Sequence, residues 1–145
     1  MQPLSPISAV AIQRIMHAGV PLTAEWGVEV LSAAAGVALL RLPPAPRLLR
    51  PGGVISGPAL MGLADAAFWC ALLSLTEGRD ESLTSSLSIT FLRRVPPRAV
   101  LAEARVLKRG RTLAYGEVTL RGEGSDDALA HITSSWAVSP DRPSR

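Results

Sequence analysis

One stretch near the middle of the chain is almost free of charge: between Pro51 and Thr76 the only charged side chain is that of Asp65. From Ser56 onward its residues are good or tolerable helix formers. A helix that is apolar all round must be buried on most sides, so the rest of the chain has to enclose it. An unpaired buried charge is costly, and Asp65 is therefore expected to have either a partner or a task.

The start of this central helix can also be predicted. Ser56 or Gly57 can act as the N-cap, with Pro58 just inside, and the helical pattern continues to about Thr76. Small residues let a sheet approach the helix backbone closely; they are Gly62, Ala64, Ala66, Ala67 and Ala71. The length would also suit a membrane span, but Asp65 at the centre, Pro58 and the glycines at 52, 53, 57 and 62 argue against one.

A helix and two strands are predicted before the central helix. The first helix has Ser5 as its N-cap, Pro6 at its first position and Gly19 at its end. The segments "WGVEVLSA" and "GVALLRL" predict two strands joined by a turn at Ala35-Gly36. The segment "PPAPRLLRPGG" that follows predicts an irregular loop.

Four strands are predicted after the central helix. In "SLTSSLSITFLRR", Leu83, Leu87, Ile89 and Phe91 alternate with polar residues. The segments "AVLAEARVLK" and "TLAYGEVTLR" predict a hairpin around "RGR", and "ALAHITSSWAV" places Ala128, Ala130, Ile132, Trp136 and Val138 on one face. Because no other long helix is available to cover the central one, the sheet must wrap it. The order therefore predicts an α+β layer fold.

Composition narrows the class of protein. A chain of 145 residues is expected to form one domain, 1–145, with an N-terminal helix in residues 1–20 and a flexible tail at 139–145. Its net charge of +3 is spread along the chain, unlike the basic stripe of a nucleic-acid-binding protein. Cys70, the single cysteine, permits no internal disulfide, and no signal peptide is evident, so the protein is expected to be cytoplasmic. No residues have metal-ligand spacing, and no metal is expected.

Three segments carry a resemblance to a known family. The segment "SGPALMGLAD" is similar to an H-G-G-x4-L-x-D motif, with Ser56, Gly57 and Pro58 in the first three places and Leu63 and Asp65 in the Leu and Asp places. The segments "TSSLSITFLRR" and "ARVLKRGRTLAYGEV" are similar to a strand and a hairpin of the same family. Over residues 24–138 the chain resembles the hotdog-fold thioesterases, in particular the phenylacetyl-CoA thioesterase-like family.

The resemblance implies an antiparallel sheet wrapped around a long central helix, and hydrolysis of an acyl-CoA to free acid and coenzyme A. Thioester hydrolysis needs a base or nucleophile and donors for the carbonyl oxygen. By resemblance, Asp65 is the general base or nucleophile and the Gly57 amide is the oxyanion donor. Active sites are then shared across a homodimer, with a homotetramer as a further assembly. Coenzyme A enters as part of the substrate, and no separate cofactor is implied.

Other residues have two interpretations. Ser56 stands in the place of the family histidine, and it is either part of the site or a helix cap alone. Arg93, Arg94 and Arg111, with Arg98, Lys108 and Arg109, are candidates to hold coenzyme A or form a solvated rim. Trp69 lines an acyl pocket or fills the core. Thr84 and Ser85 are candidate substrate contacts, or hydroxyls of a partner chain that bind Asp65 as an interface peg.

Two other functions stay open at this stage. The first is a non-catalytic acyl-CoA-binding or ligand-sensing protein, because Ser56 replaces the histidine. The second is a hydratase acting on enoyl-CoA. The hydratase is less well supported, since hydration needs a placed acid and base and the central helix carries no Asp–His pair.

Overall fold

The computed structural model describes residues 7–138 and contains the predicted elements in the predicted order, together with one short α-helix and one short pair of strands that were not predicted. The helices are α1 (Ala9–Gly19), α2 (Pro21–Glu25) and α3 (Gly57–Leu73). The strands are β1 (Glu29–Ala34), β2 (Val37–Leu42), β3 (Leu49–Arg50), β4 (Val54–Ile55), β5 (Leu83–Phe91), β6 (Val100–Arg109), β7 (Leu113–Gly122) and β8 (Ala128–Ala137). Six of the strands form one antiparallel sheet in the order β1-β2-β6-β7-β8-β5.

Helix α3 lies against the sheet, as the apolar sequence requires. Leu63, Ala67 and Phe68 are fully buried along it. Gly116 on β7 shows how close the two layers come, because a Cβ at that position would lie 2.3 Å from the Phe68 ring. The expectation of a sheet wrapped around one long helix is confirmed.

The ends of the helices differ from prediction in two places. Helix α1 begins at Ala9, where the Ser8 side chain accepts a hydrogen bond from the Ala11 amide at 3.1 Å. The predicted cap Ser5 and Pro6 lie outside the described residues, as does the predicted tail at 139–145. Helix α3 ends at Leu73 rather than near Thr76, because Glu77 and Gly78 adopt positive φ and the Gly78 amide turns back to the Leu73 carbonyl.

Local turn chemistry explains both short hairpins. The predicted β1–β2 turn is confirmed, with φ of 51° at Ala35 and 81° at Gly36. The segment after β2 is wrongly predicted as irregular, since β3 and β4 pair within it. Two glycines with positive φ, Gly52 and Gly53, make the tight turn that allows this pairing.

Strand β5 is one of the two edges of the sheet, opposite β1, and is more exposed than its pattern suggests. A β-bulge between Thr84 and Ser86 leaves Ser85 without a partner on β8 and interrupts the alternation. Leu83 is 72% exposed and Phe91 is 51% exposed. The sheet of this chain alone therefore ends in an unpaired strand that carries apolar side chains.

Within residues 7–138, none of the helices combines the length and apolar character that crossing a membrane requires.

The Cys70 sulfur lies buried, 3.5 Å from the Met16 sulfur. Burial raises the pKa of the Cys70 thiol to about 12, so it is protonated and unreactive.

Candidate active site

Asp65 lies in a cleft between α3, the α1–α2 corner and the start of β5. The cleft has a volume of about 630 Å³, and we call it the Asp65 cleft. Its walls are largely aromatic and apolar; they include Val20, Leu22, Trp26, Trp69, Leu83 and Trp136. A carboxylate in an apolar cleft of this size is typical of a small-molecule site.

The Asp65 carboxylate is half-buried and has one hydrogen-bond partner in the described chain. The Thr84 hydroxyl donates to Asp65 Oδ1 at 2.6 Å. Burial raises the pKa of Asp65 because it disfavours the charged form, while the Thr84 hydrogen bond acts in the opposite direction. The second oxygen, Oδ2, remains available to a water molecule or a substrate. A carboxyl with a raised pKa is suited to accepting a proton.

The bulge in β5 lies next to the Thr84 contact. Bulges re-aim side chains near functional sites, and here the neighbouring Thr84 reaches α3. Thr84 belongs to the same chain as Asp65, so this hydrogen bond needs no partner subunit. Ser85, the extra residue of the bulge, makes no hydrogen bond with Asp65 and does not line the cleft.

Two glycines let tryptophan rings form the cleft wall. Trp69 packs on Gly19 at the end of α1, where a Cβ would lie 2.7 Å from the ring. Trp26 packs on Gly62 of α3, where a Cβ would lie 2.9 Å from the ring. The Trp69 indole also donates to the Asp80 carbonyl at 3.4 Å. Trp69 therefore lines the cleft rather than serving only as core.

We expect Gly62→Ala to disturb this wall. The new methyl must push the Trp26 ring away, which costs about 1–3 kcal/mol, whereas replacing a helical glycine by alanine stabilises the helix by about 1 kcal/mol. The free energy of unfolding should therefore fall by up to about 2 kcal/mol. Denaturant unfolding followed by tryptophan fluorescence measures the effect. Adding Trp26→Leu should remove the clash, so the double variant should lose less stability than the two single losses combined. If the stability losses of the two single variants simply added in the double variant, the proposed contact between Gly62 and the Trp26 ring would be contradicted.

A second cavity lies at the start of α3. It has a volume of about 550 Å³, it is lined by Gly57, Leu60 and Phe91, and we call it the Gly57 cavity. Ser56 is the N-cap, as predicted, and its hydroxyl accepts from the Ala59 amide at 3.4 Å while its carbonyl accepts from the Leu60 amide. Pro58 has no N–H.

These contacts leave one amide free at the helix start. Of residues 57–60, Gly57 alone keeps an N–H without an acceptor among the residues that the structure describes. The positive end of the helix dipole lies at the same point, so this N–H favours a partial negative charge. Ser56 lines neither cavity, and its hydroxyl is engaged as a cap.

Arginines surround the Gly57 cavity. Arg93 and Arg94 line it, as does Arg50 from the β3–β4 ribbon. Arg93 also donates to the Ala128 carbonyl. Arg111 and the other predicted basic residues Arg98, Lys108 and Arg109 line neither cavity. Sequence reasoning missed Arg50, because only the pairing of β3 with β4 places it beside Arg93 and Arg94.

Gly57 and Asp65 are too far apart to act on one bond within one chain. Eight residues of helix separate them by about 12 Å along the axis. They also open into different cavities. Within the described residues there is no group of three or more His, Cys, Asp or Glu side chains that could hold a metal ion.

Known proteins are similar to this chain in sequence and in fold. The family model of the thioesterase superfamily matches residues 52–128, which are more than half of the chain. A candidate esterase of Saccharolobus solfataricus is 28% identical over 112 residues, which cover 77% of this chain and 78% of that protein. A solved structure of a candidate thioesterase from Silicibacter sp. TM1040 is 31% identical, with a TM-score of 0.82 over 96% of this chain and 97% of that one.

A more distant solved structure agrees in fold alone. The Escherichia coli PaaI protein, from the phenylacetic acid degradation operon, is 20% identical, with a TM-score of 0.79 over 90% of this chain and 92% of that one. Together with the sheet and helix described above, the closer matches support thioester hydrolysis as the general activity. The chain is a member of the thioesterase superfamily and has the hotdog fold.

Proposed function

We propose that this protein hydrolyses an acyl-CoA thioester, with Asp65 as the base or nucleophile and the Gly57 amide as the oxyanion donor. The observation that carries the proposal is the pairing of two half-sites on one helix. One is a carboxylate with a raised pKa in an apolar cleft, and the other is a free N–H in a cavity lined by arginines.

The chemistry follows from those two groups. The Gly57 N–H donates to the thioester carbonyl oxygen and stabilises the negative charge that develops there. Asp65 takes a proton from water as the water oxygen adds to the carbonyl carbon. The carbon–sulfur bond then breaks, the thiolate of coenzyme A takes up the proton, and the free acid leaves. If Asp65 attacks directly, the carbon–sulfur bond breaks and the coenzyme A thiolate leaves as a mixed anhydride forms. Water then hydrolyses the anhydride, which releases the free acid and regenerates Asp65.

A second copy of the chain brings the two half-sites together in this proposal. Gly57 and Asp65 cannot meet within one chain, and the exposed β5 edge offers a surface for association. Leu83, Phe91 and Leu92 are each more than half exposed there. An apolar, unpaired edge strand is a natural place for another chain to pack. Two such sites would form in each homodimer, related by symmetry.

The arginines support a position for the coenzyme A portion of the proposed substrate. Arg50, Arg93 and Arg94 place three positive side chains around the Gly57 cavity, next to the proposed oxyanion donor. Arginine guanidinium groups bind phosphate through paired hydrogen bonds. The phosphates of coenzyme A would therefore lie on this side, with the acyl group directed to the Asp65 cleft of the other copy.

A non-catalytic acyl-CoA-binding protein is the second candidate. The observation that favours it is Ser56, whose hydroxyl is engaged as a cap where the family motif has histidine. Release of free thiol from a panel of short, medium-chain and aromatic acyl-CoAs separates the two functions. Turnover of at least one ester supports hydrolysis. Binding of the esters without thiol release would overturn hydrolysis and support the binding protein.

A further inference from the structure

The two cavities carry opposite charge. Every titratable side chain that lines the Asp65 cleft is acidic: Asp65, Asp80 and Glu81. The charged side chains that line the Gly57 cavity are all arginines. The Gly57 cavity, which is expected to hold the phosphates, is thus positive. In the Asp65 cleft, which is expected to hold the acyl group, the only charged side chains beside the tryptophan rings are carboxylates.

Asp80 is the unusual member of the acidic set. It is only 9% exposed, and it lies in the loop just before β5. Its Oδ1 accepts from the Ser82 amide at 2.7 Å, which fixes the side chain. Its Oδ2 is buried and has no hydrogen-bond partner among the described residues. An unpaired buried carboxylate oxygen is costly and is rarely kept without a reason.

The position of Asp80 connects it to the proposed acyl group. Its carbonyl accepts from the indole of Trp69, which lies one helical turn beyond Asp65 on α3. Asp80 therefore belongs to the same wall as Trp69, and it lines the same cleft as Asp65. It is separate from the residues that would carry the hydrolytic step.

We propose that Asp80 sets the acyl specificity of the Asp65 cleft, favouring acyl groups that end in a hydroxyl and rejecting acyl groups that end in a carboxylate. This inference rests on the proposed function. A terminal hydroxyl can donate to the unpaired carboxylate of Asp80. A terminal carboxylate would bring a further negative charge into an apolar cleft that holds no positive side chain, where the repulsion is poorly screened.

Three esters of equal chain length test this directly: hexanoyl-CoA, 6-hydroxyhexanoyl-CoA and adipoyl-CoA. For the parent protein we expect kcat/KM for adipoyl-CoA to be about 100-fold below that for hexanoyl-CoA, with 6-hydroxyhexanoyl-CoA at least equal to hexanoyl-CoA. Asp80→Asn keeps an oxygen for the Ser82 amide and removes the charge. It should raise the ratio of adipoyl-CoA to hexanoyl-CoA by about tenfold.

Two variants control for charge alone. Glu81→Gln removes a carboxylate from the same cleft, but that side chain is exposed, so it should change the ratio much less than Asp80→Asn. Asp126→Asn removes an exposed carboxylate that does not line the cleft and should leave the ratio unchanged. Equal changes in Asp80→Asn and Glu81→Gln would overturn the assignment to Asp80.

Kinetics of the parent protein test the proposed specificity even if Asp80→Asn does not fold. Comparable kcat/KM for adipoyl-CoA and hexanoyl-CoA would overturn the inference while leaving hydrolysis intact. If none of the esters is hydrolysed, the proposed function fails. The dissociation constant of each ester is then measured by titrating it into the protein and following tryptophan fluorescence. Weaker binding of adipoyl-CoA than of the other two supports the inference, and equal dissociation constants for all three esters overturn it.

Discussion

Asp65→Asn should lower kcat for thioester hydrolysis by about 10³-fold, because it removes the group proposed to accept a proton from water or to attack the thioester. The amide keeps the size of the carboxyl group, and its oxygen can still accept from the Thr84 hydroxyl. Stability should not fall, since the change removes a charge that burial disfavours. Steady-state kinetics on an acyl-CoA that the parent hydrolyses, together with thermal unfolding, measures both quantities.

The pH dependence of the parent gives an independent check on Asp65. A general base works only when it is ionised, and burial raises the pKa of Asp65. Activity should therefore fall as the pH falls through a value above that of an ordinary aspartate. If Asp65 serves only as a structural partner of Thr84, Asp65→Asn should turn over at the parent rate, and the catalytic assignment would be lost.

Gly57→Leu should lower kcat/KM by about 100-fold, which is the usual loss when an oxyanion contact is removed. The leucine side chain would enter the Gly57 cavity and keep the thioester carbonyl away from the free N–H. The helix itself should persist, because leucine is a better helix former than glycine and the Ser56 cap is unchanged. Steady-state kinetics and far-UV circular dichroism report the two effects separately.

Gly57→Ala is the matched control for that substitution. A Cβ at residue 57 would lie 3.4 Å from the Phe91 ring, which is an ordinary contact. Alanine should therefore leave most of the activity in place. If leucine were as active as alanine, the helix start would not lie at the reacting carbonyl.

Much of the fold was predictable because its determinants are local in sequence. The apolar run around Asp65 fixes α3, the residues "AAG" before Val37 fix the first hairpin, and alternation fixes the strands that follow. The need to cover an apolar helix then leaves few arrangements other than a sheet around it.

The site was less predictable because it depends on pairing between distant segments. The bulge at Ser85 exists only through the pairing of β5 with β8, and it accompanies the contact between Thr84 and Asp65. Arg50 reaches Arg93 and Arg94 only through the β3–β4 ribbon. The unpaired oxygen of Asp80 likewise depends on which groups the fold brings near it.

The central claim is that Asp65 of one copy works with Gly57 of another, and mixed dimers test it most directly. One chain carries Asp65→Asn and the other carries Gly57→Leu, with different affinity tags so that the mixed dimer can be isolated. Each variant alone should be nearly inactive. The mixed dimer places both defects in one site and leaves the other intact, so it should recover about half of the parent turnover per dimer. A mixed dimer as inactive as either variant would contradict a shared site.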